Sequence, residues 1–215
     1  MANTPACCTN SHSVSAIQCA AGFSLIEFML SSLILLLIAG AAFEVLSRAQ
    51  RTAAMQSDMQ EMTDNARNAM ETVARYLRQA ANDPLGAGFD GITVVGPSEV
   101  RLRADLTGSC GRSNPDKGDP DGDLDDSSED VRIFYNASDR TLELIPSEAS
   151  PQVIAGNISE FSMQYFDSEG AETLSGPEIR RIGVSLTTTG SLPDPRTSQY
   201  LHIRLTCDVR VATRR

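Results

Sequence analysis

The segment Asp119-Pro120-Asp121-Gly122-Asp123-Leu124-Asp125-Asp126-Ser127-Ser128-Glu129-Asp130 sets carboxylates at alternating positions. Oxygen ligands spaced in this way can wrap a hard cation that takes roughly six to eight of them. Asp119, Asp121, Asp123 and Asp125 are the candidate side-chain ligands for calcium, with Asp130 closing the far side. The segment is not an EF-hand: Leu124 stands sixth, where that loop needs Gly, and Asp130 rather than Glu stands twelfth. A flexible, solvated acidic loop is the other reading. Two unit charges 4 Å apart repel by about 4 kcal/mol at an effective dielectric near 20, and an extended loop relieves that cost. Both readings stay open on the residues alone.

Other reactive side chains are sparse. Cys7, Cys8 and Cys19 precede the long apolar run described below, and Cys110 and Cys207 follow it. No CxxC pair or Cys/His cluster has zinc spacing. If the region after the apolar run is exported, Cys110 and Cys207 are its two candidates for a disulfide. Two independent thiols are the alternative, since Cys207 also fits as an ordinary core residue. His202 lies on the polar side of an alternating segment, which suits a surface role better than catalysis. Gly86-Ala87-Gly88-Phe89-Asp90-Gly91 fits G-x-G-x-x-G, but a helical pattern precedes it and a strand pattern follows, the reverse of a dinucleotide site. A turn from helix to sheet is the expectation there. No G-x-S-x-G elbow, P-loop or H-E-x-x-H motif occurs, and no enzyme activity is expected.

The elements that would carry these residues are legible from periodicity. Phe23 to Leu46 reads FSLIEFMLSSLILLLIAGAAFEVL, with charges only at Glu27 and Glu44. About 20 apolar residues suffice to cross a bilayer as a helix. No Pro or turn cluster separates this run from Ser47–Ala81. There Met55, Met59, Met62, Ala66, Met70, Val73, Leu77 and Ala80 recur at steps of three or four. The helix is expected to stop near Asn82-Asp83-Pro84, because Pro disfavours helical geometry in the residue before it. One helix from Phe23 to Ala81 would be about 90 Å long. After Pro84 the period becomes two. Val100 to Leu106, Val131 to Tyr135, Leu142 and Leu144, Phe161 to Tyr165, Ile182 to Leu186 and Leu201 to Val211 alternate apolar with polar residues. These are half-buried antiparallel strands whose apolar face the helix stripe can cover.

Ahead of the apolar run stands Gly22-Phe23-Ser24-Leu25-Ile26-Glu27. It combines a small residue, an aromatic after it, a carboxylate five residues on and an uninterrupted apolar helix. This resembles the prepilin N-terminal motif of type IV pilins and type II secretion pseudopilins. The resemblance implies that a prepilin peptidase cuts between Gly22 and Phe23 and that Phe23 becomes N-methylated. It implies that Glu27 offsets the positive amino terminus of Phe23 or of a neighbouring subunit. A tolerated interfacial charge is the plainer reading of Glu27, since a carboxylate costs less near the bilayer surface than at its centre.

Later segments are similar to PilW-type minor pilins: Asn65-Ala66-Arg67-Asn68-Ala69-Met70, Tyr76-Leu77-Arg78-Gln79-Ala80, the acidic turn before Glu129-Asp130-Val131, Phe161-Ser162-Met163-Gln164-Tyr165-Phe166-Asp167, and Thr206-Cys207-Asp208-Val209-Arg210. The implied fold is α+β and type IV pilin-like: a long N-terminal helix, half in the membrane and half amphipathic, packed on an antiparallel β-sheet domain. The implied organisation is a leader at 1–22, a transmembrane half at 23–46, an amphipathic half at 47–83 and a periplasmic β-rich domain at 84–215. The implied role is a low-abundance subunit that helps to initiate a pilus. Its partners would be the prepilin peptidase, the major and other minor pilins and the inner-membrane assembly platform. The J-type minor pseudopilin of type II secretion shares the layout. A single-pass anchored, calcium-dependent binding module is the reading from another class. One departure stands out. Prepilin leaders carry Lys or Arg before the glycine; residues 1–22 hold neither, while Arg48 and Arg51 lie beyond the apolar run.

Composition argues against a general nucleic-acid surface. The 215-residue chain has a formal net charge of -10 and lacks the basic face that a nucleic-acid surface needs. The imbalance is local: between Asp116 and Asp130 eight carboxylates face Lys117 alone.

Overall fold

A computed structural model describes residues 24–108, 119–126, 129–147, 150–194 and 197–211. The elements run α1 (Leu25–Gln79), β1 (Ile92–Gly96), β2 (Glu99–Arg103), β3 (Asp130–Asn136), β4 (Thr141–Pro146), β5 (Gln152–Ala155), β6 (Ile158–Phe166), β7 (Arg181–Pro193) and β8 (Tyr200–Arg210), with a short 3-10 turn at Gly176–Glu178 before β7. The chain divides into two compact units, Met1–Ala49 and Gln50–Arg215, and α1 contributes to both.

In the first unit α1 is apolar on all sides. Leu25, Ile26, Phe28, Leu35, Leu36, Leu37, Phe43 and Val45 are exposed. Its apolar window is long enough to cross a membrane, and none of it is buried within the chain.

The second unit is an α+β structure in which α1 packs on antiparallel sheets. Helix residues Met62, Ala66, Ala69, Met70, Val73, Ala74 and Leu77 form its buried stripe. From Ala66 onward they share one core with Val100, Ile133, Leu142, Phe161, Ile182, Leu186 and Val209 of the strands. Each such large aliphatic side chain contributes about 1.5–3 kcal/mol on burial. The sheet is divided in two: a five-stranded meander in the order β1-β2-β3-β4-β5 and a three-stranded one in the order β6-β7-β8. All pairs are antiparallel. The two are tied where Met163 N–H donates to the Pro97 carbonyl (2.7 Å) and the Tyr135 hydroxyl to the Ile158 carbonyl (3.0 Å). The clearest alternation is in β7, whose first ten residues are in turn half-buried and buried.

Three details differ from the sequence reading. The regular helix ends at Gln79, and Ala81 adopts positive φ (62°) while its N–H donates to the Arg103 carbonyl at 2.9 Å. The chain is thus turned onto β2 before Pro84 acts. The sheet also begins earlier than the alternation from Val100, with β1 directly after the glycine turn, and it includes β5, which no alternating run marks. In β1 burial does alternate, but exposed Val95 puts an apolar side chain on the outer face and masks the rhythm in the sequence; in β5 only Ala155 is fully buried and burial does not alternate. Finally, the buried stripe of α1 begins at Asp58, while Met59 is exposed.

Asp58 explains that last difference. Its carboxylate accepts the Ser191 N–H (3.2 and 3.1 Å) and the Leu192 N–H (3.3 Å), fixing the helix to the far end of β7. Asp58→Ala is expected to destabilise the second unit by about 0.5–1.5 kcal/mol, the usual net worth of a hydrogen bond, because Ser191 and Leu192 are exposed and water can replace the carboxylate. A melt of the full chain in detergent checks this; an unchanged midpoint would make the contact dispensable.

Candidate functional site

Two regions carry functional chemistry, one in each unit. The first is the start of α1. Glu27 lies in the first helical turn and is exposed, with Leu25, Ile26 and Phe28 exposed around it. A carboxylate in a first turn is favoured by the helix dipole and the free N–H groups there. Local helix physics therefore already accounts for a carboxylate at this position, and its apolar surroundings give that charge few competitors. Gly22 and Phe23 lie outside the described residues. Further along, Glu44 and Arg48 pair across one turn, both well exposed.

The second region is the acidic loop and the strand exit beneath it. Asp119, Asp121, Asp123 and Asp125 are exposed, while Asp126, Glu129 and Asp130 are buried. The alternating aspartates cap their own loop: Asp123 N–H donates to Asp121 Oδ1 (3.4 Å) and Asp125 N–H to Asp123 Oδ1 (3.2 Å). A hydrogen bond from Asp123 and its negative charge push the Asp125 carboxyl up. Asp130, expected to close the calcium site, is held instead by the Arg101 guanidinium, with Arg103 3.6 Å away on the same strand. It lies on β3 opposite Arg103 in the β2–β3 register, and two neighbouring cations remove the reason for a third.

Two carboxylates that the sequence reading did not single out as site residues are the most deeply buried. Glu129 Oε1 accepts the N–H groups of Leu106 (2.7 Å) and Thr107 (2.8 Å), while Oε2 is buried without a hydrogen-bond partner. Asp105 has no exposed surface; its Oδ2 accepts the Gly122 N–H at 3.0 Å, and its Oδ1 is likewise buried and unpartnered. Burial pushes the Asp105 carboxyl up, opposed by N–H groups of Gly122 and Asp121 and reinforced by the charges of Asp121 and Asp83. No local signal marks Asp105, which occupies a polar place in the Val100–Leu106 alternation; the acidic loop and Asn82 of the turn after α1 both bond to it. Among the described residues no three His, Cys, Asp or Glu side chains stand together as a finished metal site.

The remaining residues fall into place simply. Gly86 and Gly88 adopt positive φ (72° and 90°), and Asp83 accepts the N–H groups of Ala87 and Gly88, so the G-x-G-x-x-G segment is a turn between α1 and β1. His202 is exposed on β8, its Nδ1 3.0 Å from Thr189 Oγ1. Cys207 is half-buried on β8, and Cys110 lies outside the described residues. No known protein family and no characterised protein matches the chain.

Proposed function

We propose that this chain is a minor subunit of a type IV pilus-type filament, processed by a prepilin peptidase and stored in the inner membrane with its β-rich unit in the periplasm. The carrying observation is the Gly22-Phe23-Ser24-Leu25-Ile26-Glu27 motif directly ahead of a 55-residue helix. Apart from Glu27, that helix is apolar on all sides over its first turns and amphipathic where it meets the sheets. The exposed apolar half suits lipid first and a bundle of like helices afterwards, because both solvents are apolar. The packed half suits a subunit whose folded unit is carried on the helix. Low abundance and a role in starting the filament follow from the resemblance to PilW-type minor pilins. The J-type pseudopilin reading differs only in the filament served, and co-isolation with pilus or with secretion components separates the two.

Processing is the test. The membrane-extracted protein is expected to have lost Met1 to Gly22 and to begin with N-methylated Phe23, read by intact mass and N-terminal analysis. A chain still starting at Met1 in cells with an active peptidase would sink the filament reading and leave an anchored binding module.

A further inference from the structure

The burial of Asp105 lacks a counter-charge that the described residues supply. The side-chain charges acting on it are those of Asp121 and Asp83, both negative. Its Oδ1 is buried and unpartnered. Buried anions are ordinarily paired or metal-bound, because an uncompensated charge in a low dielectric is costly. The surroundings are shaped for oxygen donors. At Gly108 any Cβ would stand 2.5 Å from the Asp119 carbonyl oxygen and 2.8 and 2.9 Å from Asp121 Cβ and Cγ. The missing side chain is what lets the loop carbonyl and Asp121 close over the strand exit. Asp83 adds negative charge from the turn after α1, while its two oxygens cap Ala87 and Gly88.

We propose that Asp105, with Asp121 and the Asp119 carbonyl, binds one calcium ion that fastens the acidic loop to the end of β2. An all-oxygen, flexible donor set selects calcium over magnesium, which demands near-ideal octahedral geometry. The sphere is not preformed. Asp121 is exposed, and the ion brings it toward Asp105. The alternating aspartates flagged by the sequence therefore share the work differently: Asp121 ligates, Asp123 and Asp125 shape the loop, and Asp130 stays with its arginines.

The full chain in detergent, stripped with chelator, is titrated with calcium chloride by calorimetry at neutral pH. One ion per chain is expected, with Kd on the order of 10⁻⁴–10⁻³ M, the range of extracellular calcium modules. Saturating calcium should raise the melting midpoint by roughly 5 °C. Asp105→Asn should weaken binding at least about tenfold, the effect of losing roughly 1.4 kcal/mol. It should also raise the calcium-free midpoint, because the buried charge is gone. Gly108→Ala keeps every carboxylate yet should lose binding, whereas Asp123→Asn with Asp125→Asn should retain it. Silent calorimetry at several times these concentrations overturns the site, whether or not Asp105→Asn stabilises the apo protein. So does calcium affinity unchanged in Asp105→Asn, or abolished by the Asp123/Asp125 pair.

Discussion

Glu27→Ala is expected to insert into the membrane as fully as the parent chain and to be lost from filaments. The two halves of this result have opposite physical signs. Removing a carboxylate from an apolar helix lowers the cost of insertion, so the membrane fraction should hold at least as much protein. Pairing with a positive amino terminus is worth more in a low dielectric than in water, and a filament core of packed apolar helices offers such a medium. A pairing worth only about 1.4 kcal/mol already changes incorporation tenfold. The readout is the ratio of subunit in sheared filaments to subunit in membranes. Glu44→Ala is the control: Glu44 lies on the same helix, but its exposed pair with Arg48 is of the kind that contributes little, and its ratio should not change. Equal recovery of the Glu27 variant and the parent would show that the first-turn charge serves the helix end alone.

Leu77→Ala is expected to give the largest loss of stability. Leu77 is 0% exposed and belongs to the core that joins α1 to both sheets. Truncating a buried Leu to Ala costs about 2–5 kcal/mol, the upper end applying where neighbours cannot collapse into the cavity. Here the walls are a helix and hydrogen-bonded strands, so collapse is limited. For a unit of this size the melting midpoint should fall on the order of 10 °C. The apolar half of α1 is expected to remain membrane-embedded, since Leu77 belongs to the other compact unit. A midpoint within a degree or two of the parent would mean that the stripe contributes far less than its burial implies.

Much of this architecture is legible from local pattern. The apolar run, the helical stripe from Met62 to Ala80 and the alternation in β7 and β8 each repeat with the period of one kind of backbone. Such a signal needs no knowledge of what lies opposite. β1 and β5 are harder to read: each is short, outward Val95 and Val153 interrupt the apolar–polar alternation, and pairing with a neighbouring strand is what reveals them. Met59 and Asp58 show the limit within a strong element. Hydropathy favoured Met59, yet the backbone N–H groups of Ser191 and Leu192 need an acceptor at that point of the helix, and Asp58 supplies it.

The site divides along the same line. The sequence alone determined that carboxylates are concentrated between Asp116 and Asp130 and that Glu27 follows Gly22-Phe23 at prepilin spacing. Both are facts of composition and order. Tertiary structure alone decided which acids are costly. Asp130 meets Arg101 because β3 pairs with β2 in that register, and its charge is compensated. Asp105 is covered by a loop that begins more than ten residues later, and its charge meets only other acids among the described side chains. Burial and the sign of the nearest charge depend on contacts between distant segments. They set the energy of an ionised group, and no local period encodes them.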